Sequence, residues 1–149
     1  MLQKNLKKNK ENMDNLHYLL MKADSMLKRN ISTRATEEGI SSGQPKVLEF
    51  LLENEGSDQK TIAANCEIEQ ATVGTILNKM EKDGLIERRQ AVGNRRSLFV
   101  YMTSKGWYAA EKMSVIFQEE DKKASNALTE QELEMLLELL KKVCLSMKE

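Results

Sequence analysis

The chain has 149 residues, with 23 basic and 23 acidic side chains, one histidine and two cysteines. That length predicts a single domain, residues 1–149, with its own core and no disulfide framework; Cys66 and Cys144 are too few for one and fit a reducing compartment. The lysine-rich start, Met1 to Glu11, carries no apolar run, and no phosphate-binding loop, nucleophile elbow or metal-ligand spacing is present, so the expectation is a cytoplasmic protein that is not an enzyme and needs no cofactor or metal.

The first helix is expected from about Asn12 to Arg34. Met13, Leu16, Leu20, Ala23, Leu27 and Ile31 recur at spacings of three and four and form one apolar stripe. Ile40-Ser41-Ser42-Gly43 breaks it. Ser42 or Gly43 then caps a second helix with Pro45 in its first turn, where the missing N–H costs nothing. Val47, Leu48, Leu51 and Leu52 give it an apolar face, and Gly56 ends it. Ser57 or Asp58 caps a short third helix, Gln59 to Asn65, and a tight connection leads to a fourth, Gln70 to Asp83, closed by Gly84.

Two strand-like runs follow, Leu85 to Ala91 and Ser97 to Met102, with Val92 to Arg96 as the hairpin tip. Ser104 caps a fifth helix, about Lys105 to Lys123. Thr129-Glu130-Gln131-Glu132 matches a capping box at the start of the last helix, whose stripe is Leu133, Leu136, Leu137, Leu140, Val143, Cys144 and Met147. The chain thus reads as mainly α with a small β-wing: six helices and a two-stranded hairpin. Two short helices joined by a tight turn and followed by a basic hairpin make a winged helix-turn-helix, residues 40–106.

Charge is unevenly placed on this neutral chain. Residues 1–30 hold seven basic and three acidic side chains, and residues 107–149 hold six and nine. Between Gly84 and Gly106, Arg88, Arg89, Arg95, Arg96 and Lys105 face one acid, Glu87. A local basic element, rather than the net charge, is what attracts phosphate.

Stepping about 100° per residue puts Val73, Ile76, Leu77 and Met80 on one side of the fourth helix. Ala71, Thr75, Asn78 and Lys82 fall opposite, with Gln70, Thr72 and Lys79 on the flanks. This polar, mostly uncharged face suits base edges in the major groove, Gln and Asn pairing with adenine. Gln59, at the start of the third helix, joins the candidate contacts. At the hairpin, Asn94, Arg95 and Arg96 beside Gly93 can enter a minor groove, while Arg88 and Arg89 either pair with phosphates or brace the wing. Ile62, Ala63, Ile68, Val73 and Ile76 form the interior of the two-helix unit, and Cys66 reads as a small core residue.

Ser41-Ser42-Gly43-Gln44, Lys60-Thr61-Ile62-Ala63, Ala71-Thr72-Val73, the run from Met80 to Arg88, Asn94-Arg95-Arg96 and Met102 to Gly106 together resemble the multiple-antibiotic-resistance regulator (MarR) family, from about Ile40 to Gly106. The resemblance implies a recognition helix at Gln70–Lys82, Arg96 as the wing arginine, a triangular homodimer on a palindromic operator, and a bacterial repressor released by a small lipophilic or phenolic effector. Three residues depart from the pattern or bear on it. Asn94 stands where family wings carry Asp, Gly74 lies inside the recognition helix, and Glu69 precedes it.

Residues 12–34 and 107–148 would supply the dimerisation helices, through Met13, Leu16, Leu20, Leu133, Leu136, Leu137, Leu140 and Cys144. His17, Tyr18, Met21, Phe50 and Trp107 are the candidate effector-pocket lining. The alternative is a winged-helix module whose helix face binds another protein.

Overall fold

The computed structural model describes residues 14–148, with the side chain of Arg95 left out. Six helices and three strands follow in the order α1 (Leu16–Glu37), α2 (Gln44–Asn54), β1 (Ser57–Asp58), α3 (Gln59–Cys66), α4 (Gln70–Lys82), β2 (Ile86–Ala91), β3 (Asn94–Met102), α5 (Ser104–Ala124) and α6 (Glu130–Met147). No helix among the described residues is long and apolar enough to cross a membrane.

The core is built around α2. Val47, Leu48 and Leu51 are fully buried between α5 on one side and α3 on the other. Ile62 from α3, Val73, Leu77 and Met80 from α4, Val100 from β3, and Ala110 and Met113 from α5 complete it, each with no exposed surface. Burying one such large aliphatic side chain contributes about 1.5–3 kcal/mol. Cys66 lies in the same cluster, and its thiol donates to the Lys46 carbonyl at 3.7 Å.

The sheet has three strands in the order β1-β3-β2, all antiparallel, rather than the two of the expected hairpin. Ser57 and Asp58 pair with Val100 and Phe99, and the Gly56 N–H donates to the Val100 carbonyl at 2.7 Å. A two-residue strand shows no alternation, so periodicity has nothing to detect. β3 also begins at Asn94, three residues before the expected Ser97, which shortens the hairpin tip to Val92 and Gly93. An irregularity in register at Gln90/Ala91 accompanies this.

Helix ends follow local capping chemistry. Asn15 caps α1 by accepting from the Tyr18 N–H at 3.0 Å, and α1 runs on to Glu37, past the expected Arg34. The expected starting residue, Asn12, lies outside the described residues. α5 is capped by Thr103, whose hydroxyl accepts from Gly106 N–H at 3.1 Å, and not by Ser104. The capping box of α6 forms with both reciprocal hydrogen bonds, Thr129 and Glu132.

The wing is fastened to α5 where α5 begins. The Thr103 N–H donates to the Leu85 carbonyl at 3.0 Å, and the Thr103 hydroxyl donates to the Gly84 carbonyl at 2.6 Å. Gly106 is buried against this junction so closely that a Cβ there would lie 2.0 Å from the Leu85 carbonyl oxygen. Backbone on both sides cannot retreat. Gly106→Ala is therefore expected to cost about 3 kcal/mol by overpacking, read as a lower urea midpoint; stability within about 0.5 kcal/mol of wild type, the usual range for a surface change, would show that the junction yields.

Candidate nucleic-acid interface

The first element of the site is the turn between α3 and α4. The Asp58 carboxylate caps α3, accepting from the Thr61 N–H at 2.8 Å. That backbone hydrogen bond is the main reason the Asp58 carboxyl titrates below the usual aspartate range. α3 ends in Glu67, a left-handed residue at φ 53°, after which the Ile68 N–H returns to the Ala63 carbonyl at 3.1 Å. The Lys46 ammonium donates to the Cys66 carbonyl at 3.3 Å. These contacts hold the two helices at the angle that turns the outer side of α4 away from the body.

On α4, Gln70, Ala71, Thr72, Thr75, Asn78, Lys79 and Lys82 are all exposed, whereas Val73, Leu77 and Met80 are buried, as the helical stepping anticipates. Glu69 occupies the N-cap position with extended backbone and makes no side-chain cap. The Thr75 hydroxyl donates to the Ala71 carbonyl at 3.3 Å, so its lone pairs and methyl face outward chemistry.

Two expected contacts are turned to internal duty. The Gln59 amide donates to the Gln70 carbonyl at 2.8 Å, bracing α3 on α4. It also rests on Gly74: a Cβ there would come within 3.0 Å of the Gln59 amide nitrogen. Gly74 thus leaves room for the Gln59 amide.

Arg88 is the second. Its side chain is 16% exposed and lies back on α4, with Nε donating to Glu81 at 3.2 Å and Nη2 donating to the Asn78 Oδ1. Of the two roles open to it from sequence, bracing is the one the geometry supports. Arg89 pairs with Glu87 and stacks on the Tyr101 ring at 4.2 Å. Further out, the Asn94 Oδ1 accepts from the Arg96 N–H at 3.1 Å, so Asn94 orders the start of β3 without a charge. Arg96 is exposed.

The C-terminal end of α4 is a polar knot. Gln44, 1% exposed, donates from Nε2 to Asp83 at 3.3 Å and accepts from the Ser41 N–H at 3.0 Å. Lys79 reaches the same Asp83 carboxylate at 2.9 Å, and Lys105 donates to the Asp83 carbonyl at 2.7 Å. Lys79 first, then Gln44, hold the Asp83 carboxyl below its ordinary range.

Beside this knot is a cleft of about 340 Å³ lined by Glu38, Lys79, Asp83, Lys105, Tyr108 and Lys112, among others. None of the five residues expected to line an effector pocket is on it. Arg34 meets Glu119 and Glu120, and Glu38 meets Lys112, so α1 and α5 run antiparallel. At about 1.5 Å per residue, Tyr18 and Trp107 then lie roughly 40 Å apart in one chain. His17 and Met21 are exposed near Tyr18, while Phe50 and Trp107 are half-buried against the core. The cleft draws on three separated segments, and no stripe on a single helix signals it.

Of the expected dimer residues, Leu16, Leu136, Leu137 and Cys144 are exposed, and Leu20, Leu133 and Leu140 are half-buried. α6 has no buried residue at all. Met13 lies outside the described residues.

Helix, turn and helix with the wing folded beside them define a winged helix-turn-helix protein. The MarR family model matches residues 40–98. The HTH-type transcriptional regulator BilQ of Clostridium symbiosum is 31% identical over 107 residues, covering 72% of this chain and 74% of that protein. The chain belongs to the MarR family, whose members are transcriptional regulators.

Solved structures carry the same fold. The Staphylococcus aureus MepR–DNA complex matches with a TM-score of 0.81 at 24% identity, over 88% of this chain and 96% of that one. A Mycobacterium tuberculosis MarR family protein in complex with salicylic acid matches with a TM-score of 0.71 at 22% identity, over 89% and 98%.

The Asp58 cap makes a pH-dependent contribution. A lowered carboxyl stabilises the fold above the ordinary aspartate value of about 3.9 and loses that effect as pH falls through its lowered value. Asp58→Ala is expected to cost about 1 kcal/mol near neutrality, and the gap should narrow as pH falls through the lowered Asp58 value. Urea titrations at several pH values measure this; a gap that does not narrow on acidification would place the effect elsewhere than in the charged cap.

Proposed function

We propose that the chain is a dimeric, sequence-specific DNA-binding repressor, with α4 in the major groove and the Arg95–Arg96 end of the wing in the adjacent minor groove. The observation that carries this is two exposed surfaces on one packed unit: a largely uncharged hydrogen-bonding face on α4, and an arginine on the wing whose strand β2 packs against α4. Uncharged amides and hydroxyls read base edges, while cationic side chains follow phosphate potential. The DNA complex of MepR, which shares the fold, supports the placement.

The second copy is supported by α6. A helix bearing exposed Leu136, Leu137, Leu139 and Met135, with no residue buried in its own chain, leaves a broad apolar surface for a partner. Leu16 and Leu19 of α1 are exposed as well. A two-fold axis through these helices sets the two α4 helices about one DNA turn apart and calls for a palindromic operator. Occupying such a site excludes polymerase.

The effector would enter the cleft beside Asp83. Lys79, Lys105 and Lys112 supply positive charge and Tyr108 an aromatic wall, which together suit a small aromatic acid. The relative that holds salicylic acid supports that class of ligand. Its carboxylate would compete with Asp83 for Lys79 and so disturb the end of α4.

Titration of the protein into a labelled copy of its own upstream DNA tests the reading. We expect a preference over random duplex, a steep loss of affinity with salt, and weaker binding as millimolar salicylate is added. Arg96→Ala should weaken binding about tenfold and lower the salt slope by about one. Equal affinity for random DNA at low salt would remove specific DNA binding, and an unchanged Arg96→Ala would remove the wing from it.

Leu137→Glu should yield monomers by light scattering and abolish operator binding at concentrations where wild type is dimeric. A variant that remains a dimer would show that the interface lies elsewhere.

A further inference from the structure

Resting on the DNA-binding reading, we propose that Arg88 is a specificity-determining positioning residue: by donating to the Asn78 Oδ1 it turns Asn78 into a hydrogen-bond donor that selects guanine or thymine, not adenine, at one position of each half-site.

A guanidinium carries only N–H donors. The atom of the Asn78 amide that faces Arg88 must therefore be the oxygen, and the NH₂ group is set on the other side of the amide. Arg88 does not swing to allow the reverse. Its Nε is anchored on Glu81 at 3.2 Å, its side chain is 16% exposed, and it rises from β2, which is paired along its length with β3. Asn78 is exposed on the outer face of α4, in line with Thr75 and Lys82.

An unconstrained asparagine favours adenine because it uses both ends of its amide, accepting from N6 and donating to N7. Here the Oδ1 already accepts from a cation whose remaining N–H groups crowd the approach. The amino group of adenine, another donor, meets donors there. Oδ1 keeps one lone pair, which adenine N6 must share with the guanidinium, so the NH₂ group becomes the main reading group. Near the middle of the major groove the keto oxygens of guanine (O6) and thymine (O4) accept from it, whereas adenine offers it only N7, at the groove edge and beside the N6 donor, and the cytosine amino group (N4) offers it nothing.

Arg88 thus acts on base choice without touching a base. A residue that merely braced the wing would alter binding to all sequences alike.

The test uses the full-length protein and a pool of randomised duplexes, with sequencing of the bound fraction for wild type, Asn78→Ala, Arg88→Ala and Arg88→Lys. The position whose preference flattens in Asn78→Ala is the one that residue reads. There, wild type should favour guanine or thymine over adenine by about fivefold or more. Arg88→Ala, which frees both ends of the amide, should move the preference to adenine while the rest of the motif is kept. Arg88→Lys, which keeps a donor, should retain the keto preference.

Adenine selected by wild type at that position would overturn the proposal, as would Arg88→Ala lowering enrichment evenly at every position. If Arg88→Ala does not fold, wild type against Asn78→Ala still decides between keto and adenine. The free protein provides a DNA-independent check: the ¹⁵N resonance of the Asn78 side-chain amide should shift in Arg88→Lys and Arg88→Ala, and identical resonances would overturn the contact. A wild-type pool with no enriched motif would sink the DNA-binding reading itself, a result distinct from a motif of the wrong base.

Discussion

The surfaces that this protein presents to a partner hang from one short stretch of backbone, residues 83–85. Asp83 ends α4 and is held by Lys79, the buried Gln44 and Lys105. Two residues on, the Leu85 carbonyl accepts from Thr103 and lies against Gly106 with no room for a methyl group. The first set of contacts fixes where α4 stops; the second fixes where the wing leaves and α5 begins. Their spacing makes reading helix and wing one rigid unit on the end of α5. The ion pair in the first set is modest by itself, since exposed charge-assisted contacts contribute little. The effect of both sets is geometric: each satisfies a polar group at a place where three chain segments meet.

The same economy governs charge. A neutral chain offers an exposed arginine on its wing, while Arg88 is drawn inward onto Glu81 and the exposed Arg89 is paired with Glu87. On the other side of the molecule Arg34 joins α1 to α5 through Glu119 and Glu120, the latter only 6% exposed. A carboxylate so placed is costly unless paired, so losing Arg34 would harm the fold more than keeping the pair helps it. Pairing therefore divides the cations: those held by a carboxylate set the positions of helices and wing, and Arg96 at the wing is left for phosphate.

The amphipathic helices were legible in the sequence because each side chain reports its own face. Val73, Leu77 and Met80 against Thr75, Asn78 and Lys82 needs only the helical period, and the Thr129–Glu132 box needs only three residues of spacing. What was not legible depends on contacts between distant segments. β1 is two residues long and exists only because Val100 lies beside it. Thr103 rather than Ser104 caps α5 because Gly84 and Leu85 lie within its reach. The cleft next to Asp83 collects residues from the segment after α1, the end of α4 and the start of α5, and the aromatic side chains expected to line a pocket, Tyr18 and Trp107, lie far apart within one chain. Arg88 is the sharpest instance. Its charge was read correctly, but its direction follows from Glu81 and Asn78, which stand across the α4–β2 junction.

On the proposed reading, Lys79 belongs to both functional surfaces at once. It lies on the exposed flank of α4, and its ammonium grips the carboxylate that borders the cleft. A carboxylate ligand in the cleft would offer Lys79 and Lys105 a second anion, and that changes what Asp83 can hold. Such a ligand shifts DNA affinity only by the difference in its own affinity for the two arrangements of α4, and the DNA must disfavour the ligand by the same factor. The coupling need not travel far. From cleft to reading face it crosses a single turn of helix, between Asp83 and Lys79, and the buried Gln44 is the group that would have to give up or keep its partner when that turn moves.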